Sequence, residues 1–528
     1  MCTIGLLLLI LATYRALPEI GFQAGENIYF LSAANYVLDH PAYAFIVDAN
    51  GYDNSGDRGH FFPLFIYFMC LLRLLFHDSH SALGITVLVL HVCNAAVVGI
   101  LARRLFGSYF AGWCAAALYA VNYWLCGTLI NHAFYLYAAP AGLSANLGLL
   151  LILTCRNRRL PVAIGATVLL AVGLLFVEYP VGYFGVYIAA WWFTARRRGW
   201  RDAARIGVPL ALLLLALVAC RLVLQPYVSA FYGEVFTHLR LPPLGQRFLG
   251  SLAQHGVALL AIAVAFSLLV VLAQRSRDTQ LVRGMLLAGT LLLFAWLPVA
   301  LIGNSPDGGM FPLRYRYAYF SLACVTAGGG LLSLYRAAAI RERRLVAAAL
   351  LLGLVCFLGW NLRRIENAIY HAYADRRFER NAIPQILSEL NGNDRYHVLI
   401  ANGDDRRPGL SMPLAFLLGT KLSVDGRLSS DIYREWRRGM HTDYGRCTTD
   451  HEYTYTDGRG RTLRTYGSAA SLQRAIVRDA TIRPEDVYVF LVKDAKRGVI
   501  ERVPMERFAR LPGRQTVALD GHDSQTPQ

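Results

Sequence analysis

The chain has 528 residues and a formal net charge of +17, yet 55% of its residues are hydrophobic and only 16% are charged. A soluble protein carries about 25% charged residues, so an ordinary soluble fold is excluded. Nucleic-acid binding is excluded by the arrangement of the charge: there are three lysines (Lys421, Lys493, Lys496), and arginines cluster in short loops between apolar runs. The clusters are Arg103 and Arg104; Arg156, Arg158 and Arg159; Arg196 to Arg198 with Arg201 and Arg205; Arg275, Arg277 and Arg283; and Arg336, Arg341, Arg343 and Arg344. This is the positive-inside pattern, which puts those loops in the cytoplasm.

The first apolar run, MCTIGLLLLILATY, lacks a basic start and a small-residue cleavage site. It is expected to be an uncleaved anchor, short enough for the natural start to lie upstream. Next comes GENIYFLSAANYVL, where Ile28, Leu31, Asn35 and Leu38 recur at helical spacing behind Glu26. That acid either complements a helix N-terminus or serves as a general base above the bilayer. The loop VDANGYDNSGDRGH holds Asp48, Asp53, Asp57, Arg58 and His60. It reads as a structural turn, a substrate-binding loop or a weak cation loop, without the bidentate Glu of a calcium loop.

FFPLFIYFMCLLRLLF, residues 61–76, would extend only about 24 Å as a helix against a ~30 Å hydrocarbon core. It also carries Arg73. An interfacial helix is the expected form, and it keeps Glu26 on the outer side. Spanning helices are expected at 1–18, 81–102, 107–126, 136–155, 160–177, 180–195, 206–225, 256–274, 284–303, 317–335 and 345–362.

Between the spans, ionisable residues mark functional candidates because burying them in a membrane is costly. His132 lies in LINHAFYLY and reads as a base, a phosphate partner or an interfacial residue. Glu178 sits in LLFVEYPVGYF, between two spans with almost no loop. In LRYRYAYF, Tyr315, Tyr317 and Tyr319 suit an aromatic belt, and Arg314 and Arg316 either snorkel to headgroups or grip a phosphate with paired hydrogen bonds.

Beyond residue 362 the composition changes. Strand-like runs at 396–402, 421–426 and 487–492 alternate with helix-like stretches at 380–391, 411–418 and 470–479. The expected fold is mainly α: a polytopic α-helical membrane domain over 1–362, with about eleven transmembrane helices, interfacial helices and a first outer loop at 19–80. A small extracytoplasmic α/β domain follows over 363–528. The ten cysteines are scattered and form no CxxC site, and neither a Walker loop, a GxSxG elbow, an HExxH nor a GxGxxG motif occurs.

Four stretches in order resemble the GT-C superfamily of polytopic glycosyltransferases, including protein O-mannosyltransferases and lipid A aminoarabinose transferases. GENIYFLSAANYVL resembles that family's acidic residue opening a juxtamembrane helix. HFFPLFIYFMCLLRLLF leading to LHVCNAAVVGILARRLFG is similar to its Pro-containing interfacial helix and the span ending in two arginines and LFG. VEYPVGYF resembles a later Glu between two helices, and RYRYAYFSLA the Arg-Tyr start of a late span. The chain departs from the family at Gly25-Glu26, where two adjacent acids are common, and in GTLINHAFYLYAAP, which has no acid.

The resemblance implies a glycosyltransferase that moves a sugar from a polyprenyl-phosphate-linked donor to an acceptor hydroxyl on the outer membrane face. Glu26 would be the catalytic base. Arg314 and Arg316, with His60, Asp57, Glu178, Tyr317 and His132, would bind substrate and phosphate. No metal ligand is expected, although a phosphate leaving group is compatible with a divalent metal. The expected partners are membrane lipid, the lipid-linked donor and a glycan, lipid or protein acceptor. The expected location is a bacterial inner membrane, with the N-terminus inside and the C-terminal domain outside. The alternatives are a transporter or flippase of lipid-linked substrates, and a noncatalytic assembly protein on the same fold.

Overall fold

The computed structural model describes residues 2–20, 34, 37–38, 41–45, 63–76, 79–130, 132–155, 160–177, 179–194, 200–224, 263–302, 316–338, 342–375, 377–390, 395–402, 452–456, 462–466, 469–494 and 499–504. The chain divides near residue 376 into two compact units. The first is helical. Five of its described helices are long and apolar enough to cross a membrane, within 81–106, 135–154, 200–220, 279–297 and 343–372. The protein is a polytopic α-helical membrane protein.

The helices follow the apolar runs. They are α1 (Cys2–Tyr14), α2 (Pro63–Phe76), α3 (His80–Phe106), α4 (Tyr109–Ala120), α5 (Tyr123–Ile130), α6 (His132–Thr154), α7 (Leu160–Phe176), α8 (Tyr183–Thr194), α9 (Trp200–Leu224), α10 (Ala263–Arg275), α11 (Thr279–Ile302), α12 (Arg316–Ala337) and α13 (Arg343–Asp375). Local chemistry sets several ends. Ser79 caps α3 by accepting from Ala82 N, and Gly107 ends it with φ 63°, a left-handed conformation that glycine adopts without strain. Asp278 caps α11, accepting from Gln280 N and Leu281 N at 3.0 and 3.1 Å, and also pairs with Arg336 in the last turn of α12.

Small residues let these helices approach closely, as membrane bundles require. A Cβ on Gly112 of α4 would stand 2.7 Å from the Gly99 carbonyl of α3, and one on Gly328 of α12 would stand 2.6 Å from the Ala111 carbonyl. The α2 helix is 14 residues long, about 21 Å, shorter than the hydrocarbon core. One face (Phe65, Ile66, Met69, Arg73) is buried while Leu71, Leu74 and Leu75 are exposed.

Several boundaries differ from the sequence expectation, among them the following three. The span expected at 107–126 is broken: α4 ends at Ala120 and α5 begins at Tyr123. The reason is Asn122, whose side-chain oxygen accepts from Trp124 N at 2.9 Å and so captures the donor that the continuing helix would use. The helix expected at 206–225 begins at Trp200, where Asp202 in the first turn suits the helix dipole. The last span continues past 362 to Asp375.

The second unit is α/β. A five-stranded sheet has the order β2-β3-β1-β4-β5, built from β1 (Arg395–Asn402), β2 (Glu452–Thr456), β3 (Thr462–Tyr466), β4 (Val487–Asp494) and β5 (Val499–Val503). The three central strands are parallel, and the two edges pair antiparallel. Helix α14 (Arg377–Glu389) precedes β1, and α15 (Ala469–Arg478) carries the chain from β3 across β1 to β4. The core on the α15 side joins Leu399, Tyr466, Leu472, Ala475, Val489 and Val503. On β5, Arg502 reaches Glu389 of α14 at 3.2 Å and lies 4.6 Å over the Tyr488 ring. The expected elements at 411–418 and 421–426 lie outside the described residues.

Candidate functional site

Of the candidate residues, Glu26, Asp57, His60, Glu178 and Arg314 lie outside the described residues. His132 opens α6 and is buried. Arg316 and Tyr317 open α12. The segment that follows Glu26 is described at Ala34 and Val37, both buried. Its Ala34 carbonyl accepts from the Cys70 thiol of α2 at 3.3 Å, and Tyr67 of α2 donates to the Pro41 carbonyl at 2.9 Å. The α2 helix therefore docks on the stretch between Glu26 and the 47–60 loop.

Behind these helix ends lies a set of buried polar side chains. His91, in the middle of α3, is fully buried, and its Nε2 lies 2.9 Å from the Ala120 carbonyl. A carbonyl can only accept, so Nε2 carries the proton. The other nitrogen, Nδ1, then accepts from the Tyr135 hydroxyl at 2.8 Å, which fixes the neutral tautomer. The ring stacks on Tyr119 at 5.5 Å and meets Tyr14 edge-on at 5.3 Å. Tyr119 in turn lies 6.2 Å from Phe320 of α12.

Two residues of α13 serve the break between α4 and α5. Asn361 of α13 accepts from Tyr123 N at 3.0 Å, and Arg364 covers the Tyr123 ring at 4.9 Å. A second cluster joins α6, α8 and α12: Tyr183 donates to Asn146 Oδ1 at 2.6 Å, and Ser321 donates to the same oxygen at 3.4 Å. Asn94 of α3 donates to the Ala139 carbonyl at 3.2 Å, next to Pro140 inside α6. Every one of these bonds answers the same demand. Hydrocarbon offers no water, so each polar group must find a partner inside the protein.

These residues escaped the sequence reading, which sought candidates between the spans. The signal was present in His91, the one histidine inside the 81–102 span: an ionisable residue at membrane depth is a functional candidate by default. Among the described residues, no group of three or more His, Cys, Asp or Glu could hold a metal ion.

No family model matches the chain, and no curated protein matches it. Among solved structures it is similar to apo ArnT from Cupriavidus metallidurans, at 13% identity and a TM-score of 0.46, over 78% of this chain and 84% of that one. The same ArnT bound to undecaprenyl phosphate matches at 12% identity and 0.43 over the same shares. The oligosaccharyltransferase AglB from Archaeoglobus fulgidus, in complex with an inhibitory peptide and a dolichol-phosphate, matches at 12% identity and 0.43, over 89% of this chain and 74% of that one.

Proposed function

We propose that the protein is an inverting glycosyltransferase that moves a sugar from a polyprenyl-phosphate-linked donor to an acceptor hydroxyl on the outer face of a bacterial inner membrane. The acceptor oxygen bonds to the anomeric carbon while the bond from that carbon to the phosphate oxygen breaks. Glu26 takes the acceptor's proton. The polyprenyl phosphate leaves with the bonding electrons, and its growing charge is met by Arg314 and Arg316 with His60. Glu178 and Asp57 orient sugar hydroxyls or these arginines, and His132 and Tyr317 complete the phosphate side. The arginines supply the countercharge, so the step does not require a divalent metal, although it accommodates one. The acceptor is a glycan, lipid or protein, and the α/β unit, on the outer side, helps to hold it.

The observation that carries this reading is the buried set around His91. It joins the end of α1, which leads in sequence to Glu26, to the first turns of the helices that begin at His132 and Arg316. The test compares wild type with Glu26→Gln at matched protein levels in cells lacking the endogenous gene. Envelope glycans and polyprenyl-linked lipids are weighed by mass spectrometry. A sugar-sized mass increment should appear with wild type and fall about 10²–10⁴-fold with the variant, the usual contribution of a general base. Equal restoration by both proteins removes Glu26 from the role.

The break at Val121–Asn122 favours a second reading, a transporter or flippase of lipid-linked substrates, because such proteins build their sites at interrupted helices. It predicts movement of the lipid across the membrane with no new glycan mass in either strain. A noncatalytic assembly protein predicts neither.

A further inference from the structure

We propose that His91 is a positioning residue for this site, holding the ends of α1, α6 and α12 in one register across the break between α4 and α5; the proposal rests on the transferase reading above. The break removes the helical donor that would reach the Ala120 carbonyl, since Trp124 N turns to Asn122 instead. His91 Nε2 fills that vacancy at 2.9 Å. One such bond is enough to satisfy the backbone, and any side-chain donor of similar reach would do.

The histidine does more than that repair needs. Its second nitrogen holds the hydroxyl of Tyr135, three residues beyond His132 in α6. One ring face stacks on Tyr119, which touches Phe320 one turn beyond Arg316 in α12, and the ring meets Tyr14 at the last position of α1. A single rigid ring thus contacts two of the elements that lead to candidate site residues, α1 and α6, and reaches the third, α12, through Tyr119. Rotation or slippage of α1 or α6 would break a contact with His91, and slippage of α12 would break its contact with the Tyr119 ring on which His91 stacks. Catalytic and phosphate-binding groups must be held to within a fraction of an ångström, and a misplacement of about 1 Å costs on the order of 10²-fold.

The two roles separate by substitution. In His91→Gln the side-chain amide still offers an N–H toward Ala120, but the ring and its acceptor for Tyr135 are gone. Tyr135→Phe keeps every ring and removes only the hydroxyl. His91→Leu removes the repair itself. Each full-length variant is reconstituted in lipid nanodiscs, its melting midpoint is measured, and its affinity for undecaprenyl phosphate is read by native mass spectrometry. His91→Leu should melt well below wild type. His91→Gln and Tyr135→Phe should melt close to wild type yet bind the lipid phosphate about tenfold more weakly.

Should wild type, His91→Gln and Tyr135→Phe bind equally, His91 serves only the backbone and the proposal falls while the transferase reading stands. Should Tyr135→Phe lose melting temperature and affinity in proportion, the hydroxyl is structural and the proposal falls as well. Should wild type itself bind no undecaprenyl phosphate, the donor reading fails and takes the proposal with it.

Discussion

His91 in the helical unit and His397 in the α/β unit each bond a tyrosine hydroxyl, at 2.8 and 2.7 Å, and both are buried. Their surroundings differ. Around His397 the backbone is already satisfied, because β1 is paired on both sides by β3 and β4. Its bond to Tyr466 is side chain to side chain, and the two rings stack at 5.9 Å. Around His91 the backbone is interrupted, and the imidazole stands in for a missing amide. A sheet supplies its own partners along every strand, whereas a broken membrane helix must borrow them from helices far away in sequence. The helical unit should therefore be sensitive to single polar side chains in a way that the sheet is not.

The largest expected effect tests close packing. Gly112→Leu would drive a side chain into the Gly99 carbonyl, where a Cβ alone would lie at 2.7 Å. A loss of about 3 kcal/mol is expected, read as a fall in the melting midpoint of the helical unit. Next is Asn361→Leu, which leaves Tyr123 N without its acceptor and should cost about 1–3 kcal/mol. Hydrogen exchange should show faster exchange at 123–126 and no change in the sheet. Equal loosening of the sheet would break the contrast between the units.

A smaller effect comes from pH. Burial pushes the His397 imidazole down to about 4, assisted by Arg464, its partner across the β1–β3 ladder. The folded state thus prefers the neutral ring. Its contribution is complete above the ordinary value near 6.5 and is lost as pH falls from there to about 4, because the unfolded chain binds the proton first. The α/β unit should lose stability progressively across that window. Hydrogen exchange in the sheet at a series of pH values checks it, and His397→Phe should flatten the profile. The smallest effect belongs to the exposed Lys493–Glu501 pair at 2.7 Å. Lys493→Ala should change stability by no more than about 0.5 kcal/mol, and a larger shift would mean that the edge strand β5 depends on that single pair.

The legible part of the fold was whatever hydropathy averages well. Long apolar runs and arginine clusters located the membrane helices, and VYVFLV and YHVLIAN located two of the three central strands, β4 and β1. Strands β2, β3 and β5 were missed because EYTYT, TLRTY and VIERV mix Thr, Tyr and charges, and gain strand character only beside a neighbour. The DG between β2 and β3 was the available hairpin signal. The break at 121–122 was missed for a related reason. One Asn in an apolar stretch barely moves an average, and its partner Asn361 lies 238 residues away. At the site, residue chemistry made Arg316 and His132 legible as candidates. The buried set behind them was not, since each member is a single polar residue in an apolar segment and acquires meaning only from contacts with other helices.

Helix α13 has one more consequence. Its 33 residues run about 50 Å, while about 20 residues suffice to cross the hydrocarbon. Roughly four turns therefore project beyond the lipid as a continuous rod. A rod of this kind conveys torque as well as distance. Inserting two residues into the projecting turns would rotate the end of the helix by about 200°, whereas inserting seven would lengthen it by about 10 Å and restore nearly the same bearing.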